Sequence, residues 1–119
     1  NALQAEPPEG GVVLVTMDVG WTPQRHAHPA ARRWLAPGGR IVSLVKPHDE
    51  LDEAGRRAHL KNGRLEDAVA ETLLHAVLSN LAAMQLRGLA TTMSHIRGSK
   101  SSRGTGRGNR EVLRLAEAV

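Results

Sequence analysis

The sequence predicts an α/β fold with the element order β-α-β-α-β-β, parallel strands first and an antiparallel pair last. Three observations carry this reading. Val12–Met17 and residues 40–45 are short, β-branched apolar runs of the kind buried on both faces of a sheet. A helix-like segment joins them, and crossovers of that kind link parallel strands. Residues 89–95 and 110–116 are separated by a glycine-rich loop with no helix in it, so these two strands pair antiparallel.

Residues 1–11 contain Pro7-Pro8 and Gly10-Gly11, which break helix and strand alike. They read as a linker, with Asn1-Ala2 the remnant of a cleaved expression tag. The first strand ends in Asp18, which is either a turn residue or a site residue. Thr22-Pro23 resembles an N-cap followed by proline at the first helical position. Pro29 places the regular helix at about residues 29–35, after a loose first turn. Pro37-Gly38-Gly39 then stops it. His26 and His28 stand two apart and so point in different directions on a helix, which argues against a zinc site.

The second strand ends in Lys46, held extended by Pro47. Such a lysine is either an ordinary exposed one or a partly desolvated candidate base. Because open α/β sheets place chemistry beyond the carboxyl ends of their strands, Asp18 and Lys46 would lie side by side there. Residues 50–61 are strongly charged and read as a surface connection or an irregular helix. Helical spacing of Leu65, Val69, Leu73, Ala76, Val77, Leu81 and Met84 predicts a helix over 65–87, with Gly88 as its stop. His75 and Asn80 on it are packing or surface residues.

The composition bounds the function. A chain of 119 residues is one small domain, and with neither Phe nor Tyr its core must be built from Ala, Leu and Val. The absence of cysteine excludes disulfides and thiolate metal sites and fits a cytosolic origin. No apolar run is long enough to span a membrane. Between Arg97 and Arg110 lie five basic residues, four glycines and no acid. Composition leaves two readings open: a solvated loop, or a phosphate-contacting segment using Arg97, Lys100, Arg103, Arg107 and Arg110.

Three motifs then carry a resemblance. Leu35-Ala36-Pro37-Gly38-Gly39-Arg40-Ile41-Val42 looks like the helix-to-strand corner of Rossmann-like S-adenosylmethionine-dependent methyltransferases. Asp18, Pro29 and Leu44-Val45-Lys46-Pro47 with Glu50 resemble the FtsJ-type group, including the hemolysin-A-like rRNA methyltransferases. So do Ser94, Ile96, Arg97-Gly98-Ser99-Lys100 and Asn109-Arg110-Glu111-Val112. The resemblance covers nearly all of 12–119. It implies the C-terminal half of a methyltransferase domain, since no strand with a glycine-rich turn precedes Val12 in this sequence. It also implies catalytic roles for Asp18, Lys46 and Glu111 in methylating a ribose 2′-hydroxyl, with Lys46 neutral for part of the time. Asp18 would also contact S-adenosylmethionine. Without the resemblance, Glu111 would read as an ordinary surface strand residue.

The expected partner is RNA, ribosomal in the first instance, and the isolated chain is expected to be inactive. The alternative is a non-catalytic RNA-binding or scaffold module on the same fold. A nuclease would need a carboxylate at Leu44 and is set aside. In this half-sheet Val12–Met17 is left with a bare edge, which predicts either a homodimer through that edge or cover from the N-terminal segment.

Overall fold

The computed structural model describes residues 1–98 and 108–119. Strand β1 (Val12–Met17) leads through helix α1 (Gln24–Trp34) to β2 (Leu35–Val45). A 3-10 turn (Pro47–Asp49), helix α2 (Glu53–His59) and a small hairpin of β3 (Leu60–Lys61) and β4 (Arg64–Leu65) follow. Helix α3 (Asp67–Ser79), a second 3-10 turn (Ala82–Met84), β5 (Leu86–Met93) and β6 (Val112–Ala118) complete the chain. The main sheet has the order β1-β2-β6-β5, with β1 and β2 parallel and both contacts of β6 antiparallel. This is the predicted mixed α/β half-sheet. Among the described residues no helix is long and apolar enough to cross a membrane.

Helix α1 begins earlier than the prolines suggest. Pro23 occupies the N-cap position rather than the first turn, and Thr22 donates to the Gly20 carbonyl instead of capping. The cap comes from far away: the Gln24 N–H donates to Glu50 Oε1 at 2.9 Å. Pro29 sits within the helix on its exposed side. At the corner after α1, the β1–β2 register jumps from Val12↔Leu35 to Leu14↔Arg40. A Cβ at Gly39 would lie 3.0 Å from the Val12 carbonyl, so the close approach of the strands needs glycine there.

Helix α3 ends at Ser79, not near Arg87. Leu81 and Met84 keep the apolar period through the 3-10 turn, and Gln85, at φ 56°, then turns the chain into β5. Gly88 is therefore a strand residue, packed beneath Leu81. His75 and Asn80 are exposed. The 50–61 stretch forms α2, whose N-cap Asp52 accepts from the Gly55 N–H. The hairpin after it turns on Asn62 (φ 52°) and Gly63 (φ 77°), the left-handed pair that a two-residue turn requires.

Both helices that pack on the sheet cover one face. Ile41, Ala116 and Ala118 meet Ala31, Leu81 and Leu86 in one cluster, while Val45 and Val112 meet Val77 and Leu74 in another. A wholly buried polar group lies on that face too. Arg114 donates to His28 Nε2 at 2.6 Å, and Ser43 Oγ lies 3.4 Å from the same nitrogen. His28 Nδ1 lies 3.2 Å from the Gln24 carbonyl, so the tautomer with its proton on Nδ1 satisfies both partners. Burial first, then the Arg114 charge, lower the His28 pKa to about 4, and burial lowers that of Arg114 to about 10.

Buried Asn109 fastens the hairpin to the start of β6. Its Oδ1 accepts from the Leu65 N–H at 2.7 Å and its amide donates to the Gly63 carbonyl at 2.8 Å. Asn109→Ala is expected to cost about 2 kcal/mol by leaving these groups unpaired, read as a lower urea midpoint at unchanged slope.

Candidate active site

The sheet order explains how three distant side chains reach one rim. β1 and β2 run parallel, so Asp18 and Lys46 emerge at the same end. β6 runs the other way, and its first pair is Val112 with Val45, so Glu111 lies one step beyond, beside Lys46. Lys46 Nζ donates to Asp18 Oδ1 at 2.6 Å. Lys46 and Glu111 line one cleft of about 480 Å³, together with Trp21, His48, Asp49, Arg56 and Asn109.

The electrostatics correct one expectation. The Lys46 side chain is 19 % exposed and that of Asp18 66 %. Burial acts against the charge on Lys46, but the hydrogen bond and charge of Asp18, then Glu111 and Asp49, outweigh it and raise the pKa. The amine is therefore held as an ammonium ion and is not a partly neutral base. Burial raises the pKa of Glu111, with the Asp18 and Asp49 charges adding to it and Lys46 opposing. Burial also lowers that of His48, against the opposing charge of Asp49.

Trp21 is a feature that the sequence reading passed over. It is 78 % exposed and adopts φ 60°, a strained left-handed conformation for a bulky residue. Its backbone N–H donates to Asp49 Oδ2 at 3.1 Å, and the Arg56 guanidinium lies 5.1 Å from its ring centroid. Asp49 is buried and ion-pairs with Arg56 at 3.6 Å, so it braces both sides of this arrangement. The signal was there: one of only two tryptophans, in a chain with no other aromatic of the Phe or Tyr type, three residues after Asp18.

Of the basic run, Lys100, Arg103 and Arg107 lie outside the described residues. Arg97 and Arg110 both engage Asp67 at the N-terminus of α3. The base of the loop is closed by the Gly98 N–H donating to the Asn109 carbonyl at 3.1 Å and by Arg97 donating to the Gly108 carbonyl at 2.9 Å. A methyl group on Gly108 would overlap the Gly98 carbonyl. His26 is exposed and His28 is taken up by the buried Arg114 pair.

No protein-family model and no curated protein matches the chain. Solved structures do. A Streptococcus thermophilus protein provisionally named a hemolysin is similar over the whole chain, with 28 % identity and a TM-score of 0.82. A Lactococcus lactis protein provisionally named in the same way is 22 % identical over the whole chain, also at 0.82. This chain spans 41 % and 54 % of those two proteins respectively. Geranyl diphosphate C-methyltransferase from Streptomyces coelicolor, in complex with S-adenosyl-L-homocysteine, matches at a TM-score of 0.58 and 14 % identity, covering all of this chain and 52 % of that one. The chain thus has a methyltransferase-like α/β fold and forms part of such a sheet.

Proposed function

We propose that this chain is the C-terminal part of an S-adenosylmethionine-dependent RNA methyltransferase, acting on a ribose 2′-hydroxyl of ribosomal RNA. The observation that carries the reading is the meeting of Asp18, Lys46 and Glu111 at one rim of a methyltransferase-like sheet. S-adenosylmethionine, when bound, supplies the electrophilic methyl group. The fit to it within this chain is partial. Asp18 offers an exposed carboxylate to a cationic group, but no glycine-rich turn between strand and helix accompanies it.

The chain's own residues account for handling of the acceptor. Lys46, as an ammonium ion, donates to the acceptor oxygen and favours its ionisation. Asp18 fixes the direction of the amine. Glu111, whose pKa burial raises, takes the hydroxyl proton. Trp21 presents a flat exposed face at the rim on which a nucleobase stacks. Alignment of the acceptor contributes the rest.

Two experiments test the assignment on the isolated chain. Calorimetry with S-adenosylmethionine is expected to show no micromolar binding, because most of the cofactor site lies elsewhere; micromolar affinity contradicts the partial-domain reading. The open edge of β1, a β-branched strand without a charge or proline and with Leu14 half exposed, favours pairing with a second copy. Sedimentation of the isolated chain is then expected to show a dimer, and a monomer at high concentration contradicts it.

A further inference from the structure

Away from the Asp18–Lys46 rim, charge gathers among the described residues where the small hairpin, α3, Arg97 and Arg110 meet. Three guanidinium groups close on one carboxylate. Arg97 grips Asp67 with both terminal nitrogens, at 3.2 Å to Oδ1 and 3.0 Å to Oδ2. Arg110 donates to Oδ2 at 3.2 Å, and Arg64 lies 3.8 Å from Oδ1. The one further acid in ion-pair reach among the described residues is Glu71, 3.7 Å from Arg110 and 63 % exposed. Three positive charges therefore face two negative ones, and one of the two is largely screened by water.

The hydrogen bonding is also incomplete. The Nε–H groups of Arg64 and Arg110 are buried and meet no acceptor among the described residues. A phosphate group would supply both the missing charge and the missing acceptors, in the planar forked geometry that guanidinium groups favour. The position suits a strand entering the cleft. Arg64 follows Gly63, Arg97 precedes Gly98, and Arg110 lies between Asn109 and Glu111, and all four of these neighbours line it.

We propose that Arg64, Arg97 and Arg110 form a phosphate-binding subsite beside the cleft, with Asp67 as its built-in counter-ion, and that it takes a phosphodiester of the bound RNA strand. The identification of the phosphate as RNA rests on the proposed function, whereas the affinity of the cluster for phosphate does not. Asp67 competes with the ligand for the same guanidinium groups. Removing its charge while keeping its hydrogen-bonding oxygen therefore strengthens phosphate binding, which a merely structural cluster would not do.

The test is titration of the 119-residue chain with inorganic phosphate at low salt, followed by NMR at the arginine Nε–H resonances. Saturable shifts at Arg64 and Arg110 are expected, with affinity raised severalfold by Asp67→Asn and lowered severalfold by Arg64→Gln. Absence of shifts in the wild type, or affinity unchanged by Arg64→Gln, overturns the subsite even if Asp67→Asn fails to fold. A short single-stranded RNA forms the second arm. Arg64→Gln is expected to reduce the slope of log affinity against log salt by about 0.7. RNA binding with an unaltered slope also overturns the subsite, whereas phosphate binding without RNA binding keeps it and removes the RNA assignment.

Discussion

Lys46→Ala, introduced into the longer methyltransferase proposed to contain this chain, is expected to lower methyl transfer to RNA by about 10²–10⁴-fold. The reason is local. Among the described residues the ammonium group is the one cation directly hydrogen-bonded to Asp18, and Glu111 faces it across the antiparallel start of β6. Its loss removes the donor to the acceptor oxygen and leaves two carboxylates at the rim without their shared counter-charge. On the proposed assignment the effect belongs in kcat, since Lys46 would act on charge that develops during the reaction. The side chain lies at the end of a strand rather than in either apolar cluster, so the folded structure should survive. Unchanged turnover would remove Lys46 from the chemistry, whereas no methyl transfer by the unaltered protein would favour the non-catalytic RNA-binding alternative.

Lowering the pH from 6.5 to 4 is expected to destabilise the chain by on the order of 3 kcal/mol through His28 alone. The folded-state pKa of His28 is about 4, against an ordinary value of 6.5. Between these values the unfolded chain binds a proton that the folded one does not, so stability falls as pH falls through the window. Below about 4 the loss from this group is complete. Burial raises the pKa of Glu50, which works in the opposite direction near the lower end. His28→Gln keeps an acceptor for Arg114 and removes the titration. Urea midpoints measured across the window should therefore slope less steeply in that variant, and an identical slope would show that His28 is not the cause.

Much of this architecture was legible because it rests on local pattern. The β-branched runs ending in Asp18 and Lys46, and the crossover between them, were enough to place those residues side by side on parallel strands. The final antiparallel pair followed from a connection with no helix. Other features were hidden for identifiable reasons. The cap of α1 comes from Glu50, 26 residues on, so Pro23 and Pro29 alone pointed to a later start. The period of Leu81 and Met84 ran on past the true end of α3, because a 3-10 turn buries the same side of the chain. Asn62-Gly63 carried a hairpin signal that the surrounding charges obscured.

The site shows the same division. The alternation of polar and apolar residues in β6 hides a buried Arg114, whose partner His28 is 86 residues away, so no local pattern shows it. The position of Lys46 beside Asp18 was legible, but its protonation state was not, since that depends on three carboxylates from separate elements. Arg97 and Arg110 read as part of a solvated or phosphate-contacting run, because nothing local in the sequence points to Asp67 as the partner of both.

The most direct test of the central claim is to incubate the full-length protein with methyl-labelled S-adenosylmethionine and ribosomal RNA, then locate the label after nuclease digestion. The account predicts label on a ribose 2′-oxygen with the wild type and almost none with Glu111→Gln. Label on a base, or wild-type labelling by Glu111→Gln, would contradict it.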